Sequence, residues 1–404
     1  MTIPMPAMSP VRAKNNQATF SKARNFSKEF RVMLACCREG DVAREEETKS
    51  FEGPLDWERV LALADFHGVR PQLHRALNTK QVLAAPPAIR AELDQKFKEN
   101  ARKSLRLTAE LFGVLDCLRS AGFLAVPFKG PVLAEALYGD LALREYSDID
   151  VLVRAEDVSK SRDALREIGF IPSIKLSPVQ ERAYVANGYE YTLHGPAAKN
   201  LLEIQWNFVP RFFSVDFDMN AILGRCESVS VSGRSVPALS NEDLFMALCV
   251  HCAKHLWKRV CWVRDIAAML QRSRLHWAHL QEEADRLGTR RIVAVSIQLA
   301  KELLGAEMGA MGDTPTVDAA SVALCDQILD SGFESEEPDT ESLEYFRWML
   351  RLRERVADRT RFVCRLAFTP SIGEWQVVDL PASLFPLYRA IRVGRLAGRL
   401  VGLR

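Results

Sequence analysis

Ser147-Asp148-Ile149-Asp150-Val151-Leu152-Val153-Arg154 is the stretch on which the reading of this chain turns. Its acids alternate with apolar residues, the two-residue period of a strand with one face buried. Side chains two apart in a strand share a side and sit roughly 7 Å apart along it, so Asp148 and Asp150 face one way while Ile149, Val151 and Val153 face a core. Two carboxylates on one face repel each other unless a cation lies between them. A divalent ion is the usual answer, and Mg²⁺ favours carboxylates combined with substrate phosphate. Taken alone, however, Asp-x-Asp is a common triplet, more simply read as a solvated strand at a sheet edge.

The neighbouring residues change that balance. Phe123–Phe128 is a short apolar run ended by Lys129-Gly130-Pro131, which reads as strand, turn and a helix opening on proline. Such a junction offers backbone N–H groups and a helix dipole to phosphate, with Lys129 beside Gly130 as a point charge. The helix, Val132 to Tyr138, stops at Gly139-Asp140, and Glu156–Ile168 is an amphipathic helix closed by Gly169. Further strands fit Glu190–Leu193 and Leu201–Trp206, the second carrying Glu203 as a third carboxylate, and Ser228–Pro237 reads as a hairpin around Ser232-Gly233.

Outside this α/β middle the pattern is helical. Trp57, Val60, Leu61 and Ala64 recur at helical spacing, and Ile89–Asp116 presents Leu93, Phe97, Leu105, Leu107, Leu111 and Leu115 as one apolar face. After Ser240-Asn241-Glu242-Asp243, a helix-start signal, the remainder is helical, apart from a solvated loop expected over Glu334–Glu344 with its six acids and Pro338. The expected division is a mobile tail over 1–50 with one helix around Phe30–Cys37, an N-terminal helical region over 51–122, the α/β core over 123–238 and a C-terminal helical domain over 239–404.

Composition bounds the alternatives. At 404 residues, with 48% apolar and 26% charged residues, the chain is an ordinary globular protein of two or three packed units, not a disordered or collagen-like one. No apolar run approaches the roughly 18 residues that span a bilayer. Lys plus Arg number 54 against 52 Asp plus Glu, so net charge does not point to nucleic acid. Nine scattered cysteines and a start without an apolar signal core favour reduced thiols in the cytoplasm. Arg12, Lys14, Lys22, Arg24 and Lys28 precede the first acid, Glu29, and read as a loose basic tail in preference to an organelle leader. No acid follows Asp379, whereas Arg389, Arg392, Arg395, Arg399 and Arg404 do. That stripe fits a solvated helix face first, an anionic-substrate wall or a membrane-surface contact second.

The motifs together resemble a known family. Phe128-Lys-Gly130, Leu137-Tyr-Gly-Asp140, Arg144, Asp148-Ile-Asp-Val-Leu-Val153 and Leu202-Glu-Ile-Gln-Trp206 look like those of the uncharacterised bacterial nucleotidyltransferase family, within the DNA polymerase β-like superfamily. Leu239-Ser-Asn-Glu-Asp-Leu-Phe245, Cys249-Val-His-Cys-Ala-Lys-His255, Trp262-Val-Arg-Asp265, Phe368-Thr-Pro-Ser371 and Leu380-Pro381 extend the likeness over about residues 55–400. The resemblance implies an α+β fold: a nucleotidyltransferase core with a small mixed sheet, flanked by helical regions. It implies Asp148, Asp150 and Glu203 as catalytic, metal-binding carboxylates for two Mg²⁺ ions, with Mn²⁺ as a substitute, about 4 Å apart. Lys129, Gly130 and Arg144 would bind the nucleotide, and His251, His255 and Asp265 would line the substrate cleft. The implied reaction moves an NMP from an NTP, such as ATP, to a hydroxyl or phosphate acceptor. A saccharide or peptide acceptor is favoured, with tRNA as an alternative. A catalytically silent nucleotide-binding scaffold and a transferase using a sugar-nucleotide donor are the rival readings.

Two departures from the wider pattern stand out. The superfamily usually has Gly-Gly or Gly-Ser at the helix start, and Lys129-Gly130-Pro131 lacks that hydroxyl. Where the family often has His two residues after the third acid, this chain has Gln205, which does not exchange a proton near neutral pH. Three other positions carry a plainer reading beside the functional one. Arg144 fits an ion pair with a neighbouring acid, and Asp265 fits a cap on a buried arginine as well as a ribose contact. His251 and His255, with Cys249 and Cys252 nearby, fit packed histidines better than zinc, because thiolate sites draw ligands from two separated segments.

Overall fold

The computed structural model describes residues 26–38, 54–79, 85–196, 200–307, 317–331, 333, 342–378 and 380–400. Five strands, β1 (Val126–Pro127), β2 (Asp148–Leu152), β3 (Ile171–Pro172), β4 (Glu190–His194) and β5 (Leu201–Gln205), form one sheet in the order β1-β2-β5-β4-β3. The central pair, β2 and β5, runs parallel, and every other neighbour is antiparallel. A separate hairpin pairs β6 (Glu227–Val231) with β7 (Arg234–Ala238). Its turn is Ser232-Gly233, both at positive φ (48° and 79°), the backbone that two-residue hairpins require. The strand expected over Phe123–Phe128 shrinks to two residues, because Pro127 has no N–H for the ladder and is confined to the sheet edge.

Helices surround this sheet. Before it come α1 (Lys28–Cys37), α2 (Trp57–Phe66), α3 (Arg70–Thr79) and α4 (Pro87–Ser120). Between its strands lie α5 (Gly130–Tyr138), α6 (Val158–Glu167) and α7 (Pro178–Asn187), with α8 (Met219–Gly224) ahead of the hairpin. Then follow α9 (Asn241–Lys254), α10 (Val260–Arg272), α11 (Trp277–Leu287), α12 (Arg290–Leu304), α13 (Ala319–Asp330), α14 (Leu343–Arg351), α15 (Val356–Phe368), α16 (Ile372–Val377) and α17 (Tyr388–Leu400). The fold is α+β, a small mixed sheet within a largely helical chain. Capping explains several starts. The Ser240 side chain accepts from the Asp243 N–H at α9, and Ser177 forms a reciprocal capping box with Gln180 at α7. The residues ahead of β2 are held from outside: Asn100 on α4 donates to the carbonyl of Ala142 at 2.9 Å.

Two apolar cores form. One lies behind the sheet, where Ile149, Val151, Tyr191, Leu193, Leu202 and Ile204 pack with Leu107, Leu111 and Leu118 of α4 and Leu165 of α6. The other gathers α1 to α3, the first part of α4 through Leu93, and helices α9 to α14. So α4 carries side chains into both. The helix expected near the start is a core element: Phe30 and Met33 of α1 are fully buried, and the Phe30 ring stacks on that of Phe333 at 6.0 Å between centroids. The rest of the expected 1–50 tail lies largely outside the described residues. Of the loop expected over Glu334–Glu344, Leu343 and Glu344 form the first turn of α14, and 334–341 are outside the described residues.

The C-terminal arginine stripe is not simply solvated. Arg392 and Arg395 pair with the fully buried Glu374 of α16 at 3.3 and 2.8 Å. These arginines and the Ser371 N–H pull the Glu374 carboxyl below its usual range against the effect of burial. Among the described residues no helix is long and apolar enough to cross a membrane.

Candidate active site

The site begins with the sheet's alternation. Residues of one parity on β2, β5 and β4 line the core behind the sheet, and those of the other parity carry the polar groups until Leu152, which enters the second core. The register sets Asp150 opposite Glu203 and Glu203 opposite Thr192, and it sets Leu152 opposite Gln205 and Gln205 opposite Glu190. Asp148, Asp150 and Glu203 therefore share one face, as the sequence pattern predicts, with Glu190 and Gln205 added to it. Asp150 and Gln205 are only 5% and 2% exposed.

Gln205 lies between the two central acids. Its Nε2 donates to Asp150 Oδ1 at 2.8 Å and to Glu203 Oε2 at 2.9 Å. Lys129 Nζ donates to the same Asp150 oxygen at 3.3 Å while lying 4.9 Å from the centre of the Phe128 ring. Burial would lower the Lys129 pKa, but the charges of Asp150, Glu203 and Asp148 raise it, so this ammonium stays charged. The carboxylates respond in the opposite sense. Glu203 is pushed up to about 8 by burial first and by the Asp150, Glu190 and Asp148 charges next. Asp148 also rises, through burial and then Asp150, with Lys129 pulling against them. One lysine thus leaves the acidic face with more negative charge than it neutralises.

Gly130 opens α5 beside these groups. Its φ of +54° is one that L side chains rarely adopt, and a Cβ there would lie 3.7 Å from both the Asp148 carbonyl and the Tyr146 ring. The glycine is required by that backbone conformation and not by lack of space, since 3.7 Å is an ordinary contact.

Arg144 and Asp265 face each other instead of a cleft. Arg144 Nη2 is 3.0 Å from Asp265 Oδ2, and the Tyr138 hydroxyl donates to Asp265 Oδ1 at 2.6 Å. Asp265 is 1% exposed, so the structure places it as the cap of a buried arginine. Both groups join the loop before β2 to α5 and α10.

The end of α9 brings two histidines within range of the Lys129 charge. His251 and His255 lie 4.8 Å apart by ring centroid; His251 meets Trp262 edge-on at 5.2 Å and His255 meets it tilted at 4.8 Å. Burial depresses both imidazoles, His255 to about 3 and His251 well below its ordinary value. The charges of Lys129 and Lys254 add to it, so both rings are neutral near pH 7. Cys249 is pushed up to about 12 and Cys252 well above the usual thiol range by burial, which keeps both protonated. Among the described residues no three His, Cys, Asp or Glu side chains converge as a ready-made metal cage.

Lys254, Tyr189 and Glu190 were not singled out in the sequence. Lys254 Nζ donates to the Tyr189 hydroxyl at 2.9 Å and lies 4.5 Å from its ring centre. Burial lowers its pKa, and the charges of Glu190, Glu203 and Asp150 oppose that. The available signal was spacing: Lys254 follows His251 by three residues and so shares its side of the helix.

A family model described as an uncharacterised nucleotidyltransferase matches residues 53–305, more than half of the sequence. The chain belongs to that family. For this nucleotidyltransferase family member no curated protein gives a match. Among solved structures it is similar to the lincosamide antibiotic adenylyltransferase LnuA bound to lincomycin, at 19% identity and a TM-score of 0.25, covering 34% of this chain and 83% of that one. It is also similar to the antibiotic-resistance factor ANT(2'')-Ia, at 15% identity and a TM-score of 0.29, covering 47% and 89%. An antigenic nucleotidyltransferase-like protein from Paracoccidioides brasiliensis matches at 15% identity and a TM-score of 0.30, covering 52% and 94%. These three likenesses are too distant to bear on the nucleotidyltransferase site itself.

Proposed function

We propose that this nucleotidyltransferase moves an NMP group from an NTP to a hydroxyl or phosphate acceptor, with Asp148, Asp150 and Glu203 as its Mg²⁺ ligands. The observation that carries the reading is the register of the polar face, with Asp150 and Glu203 side by side on parallel strands and Asp148 two residues away. The donor chemistry fits the ion. Hard carboxylate oxygens suit Mg²⁺ or Mn²⁺, and Mg²⁺ keeps waters and substrate phosphates in its shell instead of requiring a closed protein cage. The excess negative charge that raises Asp148 and Glu203 supports the same reading. Bound there, paired Mg²⁺ ions would neutralise charge in an in-line displacement at phosphorus.

The chain's own groups do the rest. Lys129 and the first N–H groups of α5 attract phosphate oxygens. Neutral His251 and His255, with Trp262, give an uncharged wall that does not repel a cation at the acids. Their depressed pKa values suit them to accept hydrogen bonds from an acceptor hydroxyl, not to carry charge. A saccharide or peptide acceptor, and a cytoplasmic setting that keeps the cysteines reduced, complete the reading on the strength of the family resemblance and the thiol content.

One observation favours the rival, a silent nucleotide-binding scaffold: Gln205 and Lys129 already satisfy Asp150. Thermal unfolding with each of the four NTPs, with and without Mg²⁺, separates the two. A donor at about a hundred times its dissociation constant stabilises by roughly 2.7 kcal/mol, a clear melting shift. The expected result is a Mg²⁺-dependent shift for at least one NTP that Asp150→Asn abolishes. A shift independent of Mg²⁺ and of Asp150 favours the scaffold, and no shift with any NTP refutes the NTP donor and turns attention to sugar nucleotides.

A further inference from the structure

The acidic face is not left open in this structure. Asp150 Oδ1 accepts two hydrogen bonds, from Gln205 Nε2 at 2.8 Å and from Lys129 Nζ at 3.3 Å. Gln205 uses the other N–H of the same amide on Glu203 Oε2 at 2.9 Å. An amide has two donors, and here both are committed, one to each acid. Lys129 supplies a full positive charge to the oxygen that would otherwise bind a metal. Both groups are well covered: the Lys129 side chain is 15% exposed and the Asp150 side chain 4%. A divalent ion arriving alone competes with the amide and the ammonium for Asp150 Oδ1, and its own charge repels that ammonium at short range.

A nucleotide changes the competition. Lys129 is the N-cap residue of α5, whose start has no side-chain cap, so triphosphate oxygens approaching that end give it a second anionic partner. Once the ammonium turns to phosphate, only the neutral Gln205 amide still competes for Asp150 with the ion that the same phosphates carry.

Resting on the nucleotidyl-transfer reading above, we propose that Gln205 and Lys129 form a latch across Asp150 and Glu203 that makes metal binding depend on nucleotide. Gln205 is a positioning residue here, since it acts through the two carboxylates it bridges. Lys129 is the exchangeable cation, bound to carboxylate at rest and to phosphate when the donor is present. The position two residues after the third acid therefore has a role needing no proton transfer, and a glutamine serves it.

The test is Mn²⁺ binding to the intact protein, followed by electron paramagnetic resonance, with and without a non-hydrolysable NTP analogue. Wild type should bind Mn²⁺ alone weakly and bind it more tightly with the analogue. Lys129→Met removes the competing charge and should tighten Mn²⁺ binding without nucleotide by about tenfold or more. In that variant the analogue should sharpen metal binding less than in wild type, because the phosphates still ligate the ion but the exchange of the ammonium no longer adds to the coupling. Gln205→Ala should tighten Mn²⁺ alone in the same direction by a smaller factor. Lys129→Arg keeps the charge and should retain wild-type coupling, which separates the latch from simple damage to the fold. Unchanged or weaker Mn²⁺ binding in Lys129→Met, with Asp150→Asn still abolishing it in wild type, overturns the latch and leaves the nucleotidyl-transfer site standing. Mn²⁺ binding that Asp150→Asn does not touch, or none in any variant, overturns both.

Discussion

Glu203 shows how one residue's environment sets a measurable property. With its pKa raised from the ordinary 4.5 to about 8, the folded metal-free protein holds a proton that the unfolded chain has already released at neutral pH. The sign follows. Stability from this group is complete below about pH 4.5 and is lost as pH rises through 8, because the folded state then carries a buried charge beside Asp150. Urea unfolding in a chelator at pH 5, 7 and 8.5 should show that decline, and Glu203→Gln should flatten it and be more stable than wild type at the highest pH. A variant no more stable than wild type at pH 8.5 contradicts the assignment. The acids themselves were legible in the sequence, because strand alternation fixes which side chains share a face. Gln205 could be seen only as a departure from a pattern. Its double hydrogen bond depends on the registers of β2 and β5, which separate residues 148–152 from 201–205 by a crossover that no local pattern encodes.

At the scale of elements, the Arg144–Asp265 pair joins the loop before β2 to α10, and Tyr138 adds α5 to the junction. Removing one partner leaves a charge uncompensated in a dry place, so Asp265→Ala should cost about 3–5 kcal/mol, read as a lower urea midpoint. Replacing both with apolar residues, Arg144→Met with Asp265→Leu, should recover most of that loss. A single variant at wild-type stability would show that the pair does not hold these elements together. The sequence left both roles open, since a buried arginine and a phosphate-binding arginine look alike until the partner across 121 positions is known. Element positions were easier to read where periodicity and caps agree, as for β2 and for α9 after Ser240. They were harder where tertiary contact decides, as for the two-residue strands β1 and β3 and for α3, whose glutamine Gln72 is buried.

Across the whole molecule, α1 is the least expected participant. A polar beginning with a basic, turn-prone start reads as a tail, yet Phe30 packs against Phe26, His67 and Phe333, in a core shared with α9 to α14. Phe30→Ala should cost about 3–5 kcal/mol and lower the melting temperature of the full chain, a result a loosely attached tail would not give. The local sequence around Phe30 supplies a short amphipathic helix and a Ser27 cap. It cannot supply the distant rings against which the helix packs. Those rings set a timetable for a growing chain. The stacking partner of Phe30, Phe333, is made 303 positions later. At about 5–20 residues per second, roughly 15–60 s pass before Phe333 can reach it, whereas His67 and the two helices that follow α1 are made much sooner. For that interval α1 can be covered by α2 and α3 on one side while the side that Phe333 later fills stays open.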